Sequence, residues 1–416
     1  MGARMLPPVL EIYVIWHYRD VDGRAIATEI TEHFHGTVFS GLIGGAIEVY
    51  GRSEGWQSLA DAPRPIPLPH APSLPDEEKS RFIAVVPLIG NELAAAVEVP
   101  GDPWRAFIES LVQAKLAAPD RVGIFPYALD PRASRGTVVG TILNRFQRIA
   151  DAHPLGEPAS ALRCRDLAQA ITQLSLGPAA RLTVFISHTK RGSAGEQEDV
   201  EKLVEAVRRV ILNTRLQQFF DASDLQPGGD WDADLRAKAA TSALLAIRTD
   251  LYPSREWCQR EVLIAKRAGM PVVIADAIGK GEERGSFLMD HVPRMPVRAF
   301  DDERIEDGIR NALNLLVDEC LKRELWKWQK ILAEAGGGLP IAWWAPHAPE
   351  PLTFVTWLQE AKNDGRIRSG EDIRILHPDP PLGPDEKQVL TEIALMCGVR
   401  EPLDIMTPRL LAARGG

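Results

Sequence analysis

An α/β protein built on parallel sheets is predicted by three observations between Arg181 and Phe300. Short apolar runs rich in β-branched and aromatic residues recur along this stretch. Between them lie segments whose apolar residues keep the i, i+3, i+4 spacing of a helix face. The order strand then helix is repeated, so consecutive strands are joined by crossovers and run parallel, with helices on both faces.

Arg181–Ser187 (RLTVFIS) reads as the first strand, and Val200, Leu203, Val204, Val207, Val210 and Ile211 mark the helix that follows. Leu216–Phe220 is the second strand, Asp221–Asp230 a polar loop, and Trp231–Ala240 a helix for which Asp230 can serve as N-cap. Ser242–Arg248 is the third strand, followed by a helix from Arg255 to Ala268 that Gly269 closes as a C-cap, and Pro271–Ala275 is the fourth. In a flavodoxin-like order strands one and three are neighbours, and ligands bind past their carboxyl ends. Ser187–Gly192 and Thr249–Glu261 would then face each other across the crevice.

Three segments in this stretch, VFISHTK, FFDASDLQPGGDW and YPSREWCQREVLIAK, together resemble the Toll/interleukin-1 receptor (TIR) domain family over about 120 residues. The most specific element, Trp257-Cys258-Gln259-Arg260-Glu261, matches that family's W-C-x-x-E pattern. The likeness extends to NAD-cleaving bacterial members that act as immune effectors. It implies that Glu261 is catalytic. It also implies that Ser187, His188, Lys190, Arg191, Asp221, Asp224, Leu225, Trp231 and Trp257 line the substrate, with Asp221–Trp231 as a mobile loop. NAD+ would be a substrate, with no cofactor and no metal. Self-association through TIR-like domains and an upstream sensor or activating ligand would be the partners. The first loop departs from enzymatic members, with His188, Thr189, Lys190 and Arg191 where an aromatic residue and arginines are frequent.

The chemistry is coherent on its own terms. Breaking the bond between ribose and nicotinamide takes the sugar through an oxocarbenium-like state, which a nearby carboxylate stabilises. A glutamate with an ordinary pKa near 4.3 is ionised at neutral pH. Against this stands the reading of Glu261 as a solvated residue favoured by the helix dipole. Trp257 reads first as a core anchor and second as a base-stacking platform, and Cys258 as a small buried hydrophobe. Gly279-Lys280-Gly281 with Gly285 misses dinucleotide-fingerprint spacing by one residue, and no P-loop occurs.

At about 150 residues per domain, 416 residues hold two or three domains. The apolar fraction of 45% lets each bury a core, and the net charge of −9 argues against a dedicated nucleic-acid binder. Cys164, Cys258, Cys320 and Cys397 are widely spaced and form no zinc pattern, which fits reduced thiols in a cytoplasmic protein. The sequence contains no long apolar run for a membrane span.

Residues 1–150 read as a first α/β unit, a degenerate TIR-like copy without a W-C-x-x-E equivalent. Its expected elements are Glu11–Trp16, Gly23–His33, Arg81–Leu88, Trp104–Ala117 and Val122–Tyr127. Six prolines between Ala60 and Glu77 suggest an extended surface loop. Residues 151–180 read as a helical linker, overlapping the helix-like stretch Thr137–Leu176. Residues 181–335 read as the TIR-like domain ending in a long helix, and 336–416 as a small α/β module for packing or assembly. The expected function is an NAD+ glycohydrolase, hydrolysing or cyclising, activated by self-association. The alternative is a non-catalytic TIR scaffold.

Overall fold

The computed structural model describes residues 8–43, 46–59, 61–69, 79–150, 158–189, 194–212, 214, 216–220, 231–282, 285–298, 304–335, 340–378 and 380–414. They divide into two compact units. One holds Met1–Ala180 with Glu324–Gly336, the other Arg181–Arg323 with Gly337–Gly416.

The first unit opens with β1 (Leu10–Ile15), α1 (Asp22–Phe34), β2 (Ile47–Arg52) and β3 (Phe82–Ile89). It continues with α2 (Asn91–Glu98), α3 (Pro103–Ala117), β4 (Val122–Ile124), β5 (Tyr127–Ala128), α4 (Val138–Leu143) and α5 (Ala159–Leu176). The sheet order is β2-β1-β3-β4, all parallel, with β5 also on β3. Every residue of β3 (FIAVVPLI) is buried, as a parallel strand covered on both faces requires. The expected helical stretch Thr137–Leu176 is two helices, with Asn144–Ala150 non-helical between them. Part of the proline-rich segment is not mere surface: Ile66 is 5% exposed and sits in the core, with Leu68 packed against it. After β1, the Asp20 carboxylate accepts the Glu92 and Leu93 amides at 3.1 and 3.0 Å and so caps α2. Gly90 is required there, because a Cβ would come within 2.2 Å of that carboxylate.

In the second unit come β6 (Thr183–Ser187), α6 (Ala194–Leu212), β7 (Gln217–Phe220), α7 (Trp231–Thr241), β8 (Ala243–Arg248), α8 (Glu256–Arg267), β9 (Val272–Asp276) and β10 (Arg294–Pro296). The order β10-β9-β8-β6-β7, all parallel, is the flavodoxin-like one, with β6 between β7 and β8. The register pairs Ser187 with Ala246. The helix α9 (Ile305–Ala335) is shared between the units. Its residues to Arg323 bury Ile309, Leu313, Leu316 and Cys320 in the second unit. Beyond Glu324 it belongs to the first, where Trp328 meets Phe82 edge-on at 5.2 Å and Gln329 bonds both the N–H and the C=O of Ile43.

The last elements are β11 (Trp343–Trp344), α10 (Pro351–Asn363), β12 (Ile373–Leu376), α11 (Pro384–Met396), β13 (Leu403–Met406) and α12 (Pro408–Ala413). They form a parallel sheet ordered β11-β12-β13 with its own apolar core around Phe354, Leu358 and Ile375. The compact units therefore cut across the boundaries read from the sequence: this module groups with the central sheet, and the end of α9 leaves it. Two contacts explain the grouping. Leu352 packs against the core of Val262 and Ala265, and Lys266 donates to Glu350 at 2.8 Å with both side chains almost wholly buried.

His347 lies beside this pair. Its Nδ1 donates to the Ala348 carbonyl at 2.9 Å, while Nε2 makes no hydrogen bond among the described residues. Burial first, and then the positive charges of Arg323 and Lys266, push its pKa down from 6.5 to about 3. Above pH 6.5 both folded and unfolded chains keep the ring neutral. Below it the unfolded chain takes up a proton that the folded chain refuses, so stability is lost as pH falls toward 3. Between pH 6.5 and about 5 the wild type is expected to lose roughly 1–2 kcal/mol more than His347→Gln. Urea unfolding at several pH values measures this difference, and parallel curves for the two proteins would refute it.

Candidate functional site

Helix α8 places its side chains by simple periodicity. Cys258, Glu261, Val262, Ala265 and Lys266 are its buried residues, the i, i+3, i+4, i+7, i+8 pattern of one face. Glu261 lies on the rim of that face and Trp257, four residues earlier, lies roughly 40° further round. Trp257 is consequently 41% exposed, with the Arg260 guanidinium 4.6 Å from its ring centre. The expectation of a core anchor is corrected: Cys258 and Val262 bury the helix, and Trp257 presents its ring outward. The helix ends as expected at Gly269, whose φ of +67° suits a residue without Cβ.

Glu261 is 7% exposed and reaches the carboxyl end of β6. There the Ser187 hydroxyl donates to Glu261 Oε2, and the Tyr252 hydroxyl lies 2.5 Å from Ser187 Oγ. Ser187 and Tyr252 are both 0% exposed. Burial above all, then nearby Cys258 and Glu261, push the Tyr252 phenol well above its ordinary pKa. Tyr252 therefore stays a donor at any working pH. It stands in a 3-10 turn, Tyr252–Ser254, just before α8. Around this triplet, Cys258 Sγ approaches the His188 carbonyl at 3.7 Å and the Thr189 and Thr249 hydroxyls are 3.4 Å apart. These groups sit where the ends of β6 and β8 adjoin, the point at which the winding of the sheet reverses.

The loops beyond β8 and β9 are tied to each other. Arg248 makes two hydrogen bonds of 2.5 Å to Glu282, and that carboxylate, as the leading cause, raises the arginine's pKa. The Asp250 carboxylate accepts the consecutive amides of Gly279, Lys280 and Gly281 at 2.8, 2.9 and 3.3 Å. The glycine-rich stretch noted in the sequence is thus an anion nest filled by the chain's own aspartate.

Of the residues singled out from sequence, Ser187, His188 and Glu261 are brought together, and Trp257 lies on the outer side of the same helix. Ser187 faces Glu261 instead of an open surface. Lys190, Arg191, Asp221, Asp224 and Leu225 lie outside the described residues, and Trp231 is described only as the first residue of α7. Thr249, Asp250 and Tyr252 belong to the crevice-facing segment Thr249–Glu261 expected from sequence, which assigned none of them a role. A tyrosine directly before Pro253-Ser254 at a strand end was the one available signal for Tyr252. Among the described residues no three His, Cys, Asp or Glu side chains gather as a metal site would need. A cavity of about 310 Å³ lies in the first unit, between Trp16, Arg24, Thr28 and Ser53.

Fold and site together define an α/β protein with a buried carboxylate at the switch point of a flavodoxin-like sheet. No protein-family model matches the chain, and no curated protein matches it. Among solved structures, a protein from Silicibacter pomeroyi DSS-3 described as a candidate phosphosugar isomerase is 9% identical, over 82% of this chain and 88% of that one. The TM-score is 0.17, and at that value the superposition bears on neither fold nor function.

Proposed function

We propose that the second unit cleaves NAD+ between ribose and nicotinamide, with Glu261 as the carboxylate that stabilises the developing oxocarbenium ion. The observation that carries this reading is the Glu261 carboxylate held by Ser187 at the adjoining ends of β6 and β8. The likeness of Trp257-Cys258-Gln259-Arg260-Glu261 to the W-C-x-x-E pattern of NAD-cleaving TIR domains supports it. In the reaction the bond between C1′ and the pyridinium nitrogen breaks, its electron pair leaves with neutral nicotinamide, and water adds at C1′ with loss of a proton. If a ribose hydroxyl attacks instead, the product is cyclic. The leaving group needs no acid, so one carboxylate suffices. The outward ring of Trp257, with the Arg260 guanidinium over it, would offer a planar base a stacking surface.

Activity in this reading rises when chains associate, as for an intracellular effector held off until a trigger arrives. No helix among the described residues is long and apolar enough to cross a membrane. The test is purified protein incubated with NAD+, with nicotinamide release followed by chromatography against a folded Glu261→Gln variant. The rival reading, a non-catalytic TIR-like scaffold, is favoured by the low exposure of Glu261. Absence of nicotinamide release at every protein concentration would select it.

A further inference from the structure

Each hydroxyl in the buried triplet owns a single proton, and that fixes its direction. Ser187 gives its proton to Glu261 Oε2, so the short contact between Ser187 and Tyr252 must be filled by the tyrosine's proton. The chain runs Tyr252 to Ser187 to Glu261, and it ends on an acceptor. A hydrogen bond donated to the carboxylate favours its charged form, and a proton placed on Oε2 would in addition reverse both bonds and take from the Tyr252 hydrogen its acceptor Ser187.

From this we infer that Ser187 and Tyr252 are positioning residues: a buried two-hydroxyl relay that aims the Glu261 carboxylate and holds it ionised, without touching the substrate. The inference rests on the reading of Glu261 as the reactive carboxylate. It changes the part assigned to Ser187, because a side chain with no exposed surface and both sides of its oxygen occupied does not line a ligand. The two hydroxyls come from different elements, the end of β6 and the turn that precedes α8. The relay therefore also pins the start of α8 to the sheet. A donor polarised by a second donor behind it is the stronger one, so loss of Tyr252 weakens the bond that Ser187 makes. His188, Thr189, Thr249 and Cys258 surround the triplet, and none of them is a carboxylate that would substitute for Glu261.

The experiment is the pH profile of nicotinamide release by the full chain, as wild type, Ser187→Ala and Tyr252→Phe. A hydrogen bond to a charged group is the interaction removed, so Ser187→Ala should move the acid limb upward by roughly one to two pH units. Tyr252→Phe keeps the ring, removes one oxygen, and should move the limb the same way by less. KM for NAD+ should stay within about twofold of wild type in both variants, since neither side chain meets the substrate. An acid limb that does not move in either folded variant overturns the relay, and so does a raised KM with an unmoved limb.

A double-mutant cycle on urea unfolding, with Ser187→Ala and Glu261→Ala, reads the same contact without activity. If wild type releases no nicotinamide, the NAD reading fails by itself. The cycle then decides the relay: non-additive losses uphold it and additive losses end it.

Discussion

Glu261→Gln is expected to lower nicotinamide release by about two to three orders of magnitude or more while leaving the unfolding midpoint close to that of wild type. The magnitude follows from removing one preorganised electrostatic partner of the transition state, worth about 3–4 kcal/mol. The fold survives because glutamine keeps size and an acceptor oxygen for the Ser187 hydroxyl, so the buried bond at the end of β6 is retained. Only the charge is lost. Glu261→Ala, by contrast, strands Ser187 and removes packing beside Cys258 and Val262, so its defect mixes stability with chemistry. Steady-state rates with thermal unfolding of the same samples make the comparison. Full turnover in a folded Glu261→Gln protein would dismiss the assignment.

The second large effect falls on stability. Lys266 and Glu350 are 4% and 5% exposed, and Lys266 also donates to the Asp290 carbonyl at 2.8 Å. Burial pushes the lysine down and the glutamate up, and each is kept charged by the other. Glu350→Ala leaves an ammonium in a dry site, and such a break costs about 3–5 kcal/mol. Lys266→Met has a cost of the same order, since Glu350 Oε1 already lacks a hydrogen-bond partner among the described residues. Replacing both, as Lys266→Met with Glu350→Leu, should recover most of the loss because no charge is then left alone. Urea unfolding of the four proteins reads this directly. A double variant as unstable as the worse single one would show that the charges themselves are needed.

Much of the central sheet was legible because a parallel strand covered on both faces is a continuous apolar run, as in RLTVFIS and PVVIA. Helix α8 was legible from its ends, with Pro253-Ser254 before it and Gly269 after it. Short elements were not. Helix α2 (NELAAAVE) follows directly on a strand with only Gly90 between, and the edge strands β10 (RMP) and β13 (LDIM) are too short to show a period. The expectation for Trp257 rests on residue type, since a large aromatic side chain is most often a core anchor. The face of the helix is set by Cys258, Val262 and Ala265, and Trp257 falls outside it. At the site, Glu261 was marked by its motif. Its partner Ser187 stands 74 residues away, and Tyr252, which bonds Ser187, is 65 residues from it; the pairing of β6 with β8 brings Ser187 to both. The attachment of the last module was equally hidden, since Lys266 and Glu350 stand 84 positions apart with no periodic signal of their meeting.

The sharing of α9 sets an order of events during synthesis. The first unit borrows Trp328 and Gln329 for Phe82 and Ile43, and these lie after the whole of β6 to β10 in the chain. A ribosome that delivers the chain from its amino end releases β1 to α5 long before those two side chains exist. Until the polypeptide has grown past residue 329, the nascent first unit lacks these two neighbours of Phe82 and Ile43. A chain truncated at Ala180 keeps every strand of that sheet yet lacks the same two side chains, so the amino-terminal unit cannot be excised at its apparent linker without loss.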